Sequence, residues 1–467
     1  MSRDIKADYD TQYIFPPCLE DWVPKDHPAR FIREVVDMLD LRGLGFKHHD
    51  SVEGTNGYAP DLMLKVWLYG YFKKIFSTRK LEEACREHMS LVWLTGNHAP
   101  DHNTLWRFFV ENEKAIKGVF KQVVRVAYDA GLLGMALHAV DGTKIKSKCS
   151  NRGALRRREV ERMLRELDAS VDEMMREVRK NEDGESGEYR LPSELCEREA
   201  LRERLTEALR EMDEIDRDHI HPCEPDARMM NCAGKIELAY NGQVVVDDDS
   251  GMIAAQDVVN EENDKHQLTP MIGRVEENIG AAADETLADA GYCSSDELAE
   301  SEKKKYSVLV NVNLESDGEF HWTKFTYDEV GDCVICPLGN RLGFSHVDYS
   351  EKQPRRTFVC RCHRECPRRW DCSKSKRVGR RIRLLPNQMA LLRNRQRLME
   401  PANAELMRKR KKMEKVFGII KECMGFRRWT FRGLRGARTQ WAIICTVFNL
   451  KKMYTNWVMG RLILKVN

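Results

Sequence analysis

The sequence predicts an α/β fold, a mixed β-sheet core preceded by a helical domain and broken by two insertions. Three observations predict it. Beyond residue 134, short β-rich runs alternate with amphipathic helical segments, and two of those runs end in turn residues, at Asp141-Gly142 and Asp289-Ala290-Gly291. A long charged stretch with heptad-like spacing separates the first strand from the rest. A cluster of cysteines then interrupts the core before its last helices.

Taken in order, residues 1–130 read as helical. A lead-in containing Pro16-Pro17 and Pro24 precedes a short helix around residues 30–39. Leu62, Val66, Tyr69 and Phe72 (or Lys73) mark one helical face. Ser77/Thr78 supply the cap of a second helix carrying Leu81, Ala84 and Cys85, and the run Pro100-Asp101-His102-Asn103-Thr104 breaks and caps a third with Leu105, Phe108 and Phe109. Such capped helices suit a DNA-binding domain or a plain helical bundle.

The first strand is expected from His138 to Lys146, with Asp141 inside it. In residues 151–221, Val160, Leu164, Leu167, Val171, Met174 and Val178 recur at steps of four and three, as do Leu201, Leu205, Ala208, Met212 and Ile215. Between the two runs lies the turn-rich Asn181-Glu-Asp-Gly-Glu-Ser-Gly. This spacing predicts an antiparallel coiled-coil hairpin, a spacer or an oligomer contact. Strands over residues 235–246 and 252–259 follow, joined by Asp247-Asp-Asp-Ser-Gly, whose aspartates read as a hairpin turn rather than a metal site. A helix over residues 264–279, a strand over 285–289, a helix over 294–304 and a β-rich run over 306–312 complete the series. With the hairpin removed, this order is that of an RNase H-like sheet, in which the first and fourth strands lie side by side and bring Asp141 near Asp289. Residues 134–150 and 222–315 are therefore assigned to the core, 316–376 to a cysteine-rich insertion, and 377–467 to the C-terminal part of the core.

Composition narrows the class. The 467 residues are 42% hydrophobic and 32% charged, with 77 Lys+Arg against 74 Asp+Glu, a formal net charge of +3. The distribution of charge is more telling than its sum. Residues 374–438 are crowded with Arg and Lys, the basic face that binding a phosphate backbone requires. No apolar run approaches a membrane span, and the N-terminus lacks the apolar core of a signal peptide. Fifteen cysteines without an export signal suit a reducing cytoplasm, with thiols buried or bound to metal.

The chemistry centres on residues 410–421. On a helix, Arg410, Glu414, Phe417/Gly418 and Lys421 recur at near-integral turns and share a face, one carboxylate between two cations. A solvated charged face is the plain alternative. Two strand-end aspartates and one helical glutamate are, however, the parts of a two-metal phosphoryl-transfer site. Two Mg2+ (or Mn2+) ions, held by Asp141, Asp289 and Glu414, would activate the attacking oxygen and stabilise the leaving one. Arg410 and Lys421 would neutralise phosphate charge on the same face, and Lys144, Lys146, Arg427 and Arg428 are further candidates for DNA contact. Trp429 and Trp441 suit the DNA face or the core equally.

In the insertion, Cys333-x-x-Cys336-Pro precedes Cys360, Cys362, His363, Cys366-Pro and Cys372. Knuckle-like spacing in a segment with little apolar content suggests a structural Zn2+, with Cys336, Cys362, Cys366 and Cys372 the preferred ligands and free reduced thiols the alternative.

Taken together, these motifs resemble the DDE transposases of bacterial insertion sequences. The resemblance rests on Asp-Gly-Thr-Lys at residues 141–144, Asp-Ala-Gly-Tyr at 289–292 and the Glu-x6-Lys helix with Arg410 four residues earlier. It also rests on Tyr58-Ala-Pro-Asp-Leu-Met-Leu, Ser77-Thr-Arg-Lys-Leu-Glu, Pro100-Asp-His-Asn-Thr, Asn241-Gly-Gln and the Cys-Pro cluster. It covers most of the chain apart from residues 152–218. It implies a metal-binding triad of Asp141, Asp289 and Glu414, with Arg410 and Lys421 as the basic members of a Tyr-Arg-Glu-Lys signature whose tyrosine position is Met407 here. It further implies nicking of double-stranded DNA at element ends, attack of the 3′-OH on target DNA, a homo-oligomer pairing both ends, no membrane association, and a bacterial cytoplasmic protein at the nucleoid when DNA-bound. An RNase H-like nuclease that cuts without joining, and an inactive DNA-binding derivative, are the alternatives.

Overall fold

The computed structural model describes residues 18–48, 57–182, 193–215, 219–221, 223–312, 318–350, 353–375, 377–413 and 415–464. Glu414, most of the hairpin hinge and the first seventeen residues lie outside that set, as do the side chains of Met174, Val178 and Ile215. The chain divides into two compact units, residues 1–130 with 442–467, and residues 131–441. The expected assignment of 377–467 to one domain thus meets a boundary at Ala442, within a single continuous helix.

The first unit is helical: α1 (Pro28–Asp37), α2 (Pro60–Phe72), α3 (Thr78–Glu87), α4 (Met89–Leu94), α5 (His102–Glu111) and α6 (Glu113–Asp129), with the later part of the C-terminal helix Gly433–Val458. Asp101 caps α5, its carboxylate accepting from the backbone N–H groups of Asn103 and Thr104, both at 2.8 Å. Ser77 precedes α3 without a side-chain cap bond, so that start is set by packing of Leu81, Ala84 and Cys85. Helix α2 departs from the one-sided pattern expected of it. Every residue from Met63 to Tyr71 is buried, and its one buried cation, Lys65, is neutralised by Asp37 and Asp61 at 2.6 and 3.0 Å. A helix buried on all sides carries apolar residues all round, and a stripe read from one face understates it.

The second unit holds a mixed helix-and-sheet fold, as an α/β sequence requires. Strand β1 (Leu137–Lys146) leads through the two-residue strands β2 (Leu155–Arg156) and β3 (His219–Ile220), which flank the hairpin α7 (Arg157–Glu182) and α8 (Ser193–Ile215). The two helices pack through Val160, Leu205, Ala208 and Met212, with Leu164, Leu167 and Leu201 at the margin. Next come β4 (Arg228–Cys232), β5 (Lys235–Asp247), β6 (Ile253–Val259), α9 (Leu268–Ile279), β7 (Glu285–Ala288), α10 (Ser295–Lys303) and β8 (Val308–Val310). The sheet order is β4-β5-β1-β7-β8, with β6 also on β5. β1 runs antiparallel to β5 and parallel to β7. β1 and β7, the first and fourth of the strands expected from the sequence, are therefore neighbours, as the element order predicts. At the β5–β6 turn, Asp247 accepts from the backbone and hydroxyl of Ser250, the hairpin role expected of it.

A separate five-stranded antiparallel sheet carries the cysteines: β9 (Thr326–Asp328), β10 (Cys333–Ile335), β11 (Arg341–Asp348), β12 (Arg355–Cys360) and β13 (Arg381–Leu384), with the short α11 (Arg369–Cys372) between the last two strands. Its core is apolar, formed by Phe325, Tyr327, Val334, Leu342, Phe358, Ile382 and Leu384. It does not depend on metal for want of a core, contrary to what the composition of the segment suggested. Then follow α12 (Pro386–Leu398), α13 (Pro401–Met413), the single turn α14 (Lys415–Gly418) and a π-helical turn Ile419–Cys423.

Candidate active site

The site is built on the centre of the first sheet. The parallel register pairs Leu137 with Glu285, His138 with Thr286 and Ala139 with Leu287; Asp141 lies two residues beyond the last pair on β1, and Asp289 two residues beyond it, just past the end of β7. Asp141 is half-buried on β1, opposite Val244 of β5, and its Oδ1 accepts the N–H of Gly142 at 2.9 Å. Asp289 ends β7 and caps a 3-10 turn, accepting the N–H of Gly291 at 2.9 Å. β1 runs on through Asp141-Gly142 to Lys146 and does not turn there, whereas Asp289 directly follows β7. Parallel pairing of β1 with β7 is the local reason that residues 148 positions apart in sequence come to neighbouring places in the sheet.

Lys421 reaches the same place from the other end of the chain. Its ammonium donates to Thr143 Oγ1 at 2.5 Å and to the carbonyl of Lys144 at 3.3 Å. Burial pushes its pKa below the usual lysine range, and the nearby Asp141 carboxylate opposes that shift. Lys421 sits in the π-helical turn Ile419–Cys423, where the wider winding changes its angular position from the α-helical register expected between Arg410 and Lys421. Arg410 is half-buried near the end of α13, and Glu414 lies outside the described residues.

Four basic candidates are engaged within the protein. Lys144 pairs with Asp264 at 3.0 Å and Lys146 with Glu237 at 2.6 Å. Arg427 is exposed and pairs with Glu422. Arg428 donates to the carbonyls of Ser147 and Cys149 at 2.9 and 3.1 Å, so it fastens its segment to the end of β1. Trp429 and Trp441 are core residues. Both are fully buried, their ring centroids 5.8 Å apart, and their indole N–H groups donate to Ile145 and Gln243 carbonyls at 3.1 Å each. This aromatic anchor holds the segment that follows Lys421 onto β1 and β5.

Sequence reasoning missed Asp264, which it assigned to the start of a helix. That helix begins at Leu268, and Asp264 stays in the preceding loop, its carboxylate accepting from Asn241 and Gln243 at 2.6 Å each as well as from Lys144. The Asn-Gly-Gln motif at 241–243 was the available signal, since two amides on an otherwise apolar strand need a buried partner.

In the cysteine-rich sheet, Cys360 Sγ and Cys362 Sγ are 3.4 Å apart, beyond any disulfide bond length. The Asn340 N–H donates to Cys336 Sγ at 3.3 Å and its side-chain amide to Cys366 Sγ at 3.8 Å. Burial, with Cys362 beside it, pushes the Cys360 thiol up to about 12. Cys336, Cys362, Cys366 and Cys372 are thus neighbours in one lobe, yet among the described residues no three Cys, His, Asp or Glu side chains are gathered tightly enough to hold an ion. Among the described residues, too, no helix is long and apolar enough to cross a membrane.

Two segments of the chain match known families. Residues 17–111 match a transposase domain of the DUF772 type, and residues 335–454 match a transposase DDE domain. No curated protein matches the chain. The first match spans most of the helical unit and the second runs from the cysteine-rich sheet through Lys421 into the C-terminal helix. With both transposase domains on one chain, the protein belongs to the DDE transposases of the insertion-sequence type.

Proposed function

We propose that this transposase cleaves double-stranded DNA at the ends of its element and joins the 3′-OH ends to target DNA, using Asp141, Asp289 and Glu414 to hold two Mg2+ or Mn2+ ions. The observation that carries the reading is the parallel β1–β7 pairing, which puts the strand holding half-buried Asp141 beside the strand that half-buried Asp289 directly follows, with half-buried Lys421 bonded to Thr143 two residues beyond Asp141. The strand order, with β1 between β5 and β7, fits an RNase H-like core, and the α7–α8 packing fits a coiled-coil insertion.

The donor set suits hard divalent cations, which take carboxylate oxygens and keep further positions for water and phosphate. When bound, the two ions supply charge stabilisation to the attacking and leaving oxygens of an in-line displacement. The chain's own residues do the rest. Asp141 stands on β1, and Asp289 directly follows β7, the strand paired with it. Lys421, held by Thr143, keeps a cation beside Asp141 to meet phosphate charge. Double-stranded DNA, as element end and as target, is the substrate, and a homo-oligomer pairs the two ends. Arg410, with Lys144, Lys146, Arg427 and Arg428, contributes phosphate contacts, the last four after exchange of the internal partners described above. A structural Zn2+ held by Cys336, Cys362, Cys366 and Cys372 belongs to the same reading, since these thiols share one lobe. It requires their side chains to close on the ion.

The test is Mg2+-dependent cleavage of a duplex carrying the DNA that flanks the reading frame, with wild type against Asp141→Asn, Asp289→Asn and Glu414→Gln. Cleavage at the element ends by wild type alone, with duplex binding retained in all four proteins, supports the triad. Full cleavage by any variant overturns it. A strand-transfer assay with a supercoiled target separates a transposase from a nuclease that does not join.

A further inference from the structure

We propose that Asp264 is a positioning residue of this site, a brace that holds the strands bearing Asp141 and Asp289 at the separation cation binding requires. The proposal rests on the cleavage reading above and adds a fourth acidic group with a different task.

Asp264 Oδ1 accepts from Asn241 Nδ2 at 2.6 Å, Gln243 Nε2 at 2.6 Å and Lys144 Nζ at 3.1 Å, and Oδ2 accepts from Lys144 Nζ at 3.0 Å. In the β1–β5 ladder Lys144 stands opposite Asn241 and Gly142 opposite Gln243. One carboxylate therefore ties two successive cross-strand pairs together on one face, directly over the peptide that follows Asp141. Gly142 makes the approach possible. A Cβ there would lie 2.8 Å from Asp264 Oδ1 and 2.4 Å from Gln243 Nε2.

The brace continues to Asp289. Gln243 Oε1 accepts from the hydroxyl of Tyr292, which is buried in the turn that Asp289 caps. Asp264 itself reaches that turn, since a Cβ on Gly291 would sit 3.7 Å from Asp264 Oδ2 and 3.0 Å from Asp289 Oδ1. Asn241 and Gln243 are fully buried on β5, between the buried Leu238, Ala239 and Tyr240 and the buried Val244, Val245 and Val246. Burying amides costs stability unless they are bonded, and Asp264 is the group that bonds both. Its contacts also distinguish a brace from a metal ligand. A metal ligand keeps its oxygens turned to the ion, whereas here Oδ1 takes three protein donors and Oδ2 takes the Lys144 ammonium.

The experiment uses the full-length protein and the element-end duplex. Single-turnover cleavage is measured across Mg2+ concentration for wild type, Asp264→Asn, Lys144→Gln and the double variant, beside Mn2+ affinity by paramagnetic resonance, duplex binding and melting. Displacing site groups by about an ångström costs roughly 100-fold in rate, so Asp264→Asn is expected to slow cleavage by ~10-fold or more. The Mg2+ concentration for half-maximal cleavage and the Mn2+ dissociation constant should rise at least ~3-fold with duplex binding unchanged, in protein that its melting curve shows still folded at the assay temperature. The double variant should be no slower than the slower single variant, because both act through one unit. Cleavage and Mn2+ affinity within about twofold of wild type in Asp264→Asn, or multiplied losses in the double variant, overturn the proposal. If Asp264→Asn fails to fold, Tyr292→Phe cuts the same brace by one hydroxyl, and an unchanged Mn2+ affinity in that variant overturns it equally. A wild type that binds Mn2+ but does not cleave defeats the function reading alone, and a wild type that does neither defeats both.

Discussion

The ammonium of Lys421 donates to the hydroxyl of Thr143 at 2.5 Å, across 278 residues of chain. Thr143 is two positions beyond Asp141 on β1, so the bond fastens the basic end of the Lys421 segment to the strand carrying the first aspartate. Removing the hydroxyl leaves the ammonium with the Lys144 carbonyl at 3.3 Å.

Thr143→Val should therefore lower the rate of end cleavage by ~3–30-fold, the scale of one hydrogen bond to a charged group at about 1.5–3 kcal/mol less partial compensation. Lys421→Ala should cost more than Thr143→Val and less than Asp141→Asn, since it removes a charge without removing a metal ligand. Single-turnover cleavage of the same duplex ranks the three. An order with Thr143→Val the slowest would refute the arrangement.

Gly142→Ala places a Cβ 2.4 Å from Gln243 Nε2 and 2.8 Å from Asp264 Oδ1, closer than packed atoms approach. The side chains must shift, at a cost of ~1–3 kcal/mol typical of overpacking. The expected result is a lower midpoint in urea together with loss of cleavage. A variant with both properties of wild type would show that the cluster over Gly142 is loose.

The helical unit offers a paired test of capping. Asp101 holds two backbone N–H groups of α5, whereas Ser77 makes no side-chain cap bond to α3. Asp101→Ala should destabilise by ~1 kcal/mol and Ser77→Ala by a few tenths at most. Chemical denaturation read on this unit decides the order, and equal effects would contradict the capping geometry.

Thiol reactivity tests the zinc proposal. Burial pushes Cys360 up to about 12, so thiolate is scarce at pH 8, while Cys18, Cys223 and Cys423 are exposed. Alkylation at pH 8 should mark Cys18, Cys223 and Cys423 first. With Zn2+ bound, a chelator should release about one equivalent of metal and make Cys336, Cys362, Cys366 and Cys372 react faster. Metal-free purified protein whose alkylation pattern ignores the chelator would leave these cysteines as ordinary reduced thiols.

Sequence alone determined what is local. The turn after Asp289, the Asp101 cap, the β5–β6 hairpin and the α7–α8 spacing are short-range patterns of backbone preference and apolar period, and such patterns are written in neighbouring residues. The turn expected at Asp141-Gly142 gives way to the β1–β5 ladder, which carries the strand on to Lys146. The adjacency of β1 and β7 followed from the order of elements, which limits the topologies a right-handed chain can adopt. The tertiary structure alone decided which distant polar groups meet. Asp264 lies 120 residues from Lys144, and nothing in its own segment distinguishes a loop carboxylate from the first residue of a helix. Lys146 and Arg428 read as phosphate-binding charges, but packing supplies them with Glu237 and with backbone carbonyls. Trp429 and Trp441 were undecided between DNA face and core until their indoles met β1 and β5. Partner choice by a long side chain depends on what folding brings within about 3 Å, and one-dimensional spacing carries no record of it.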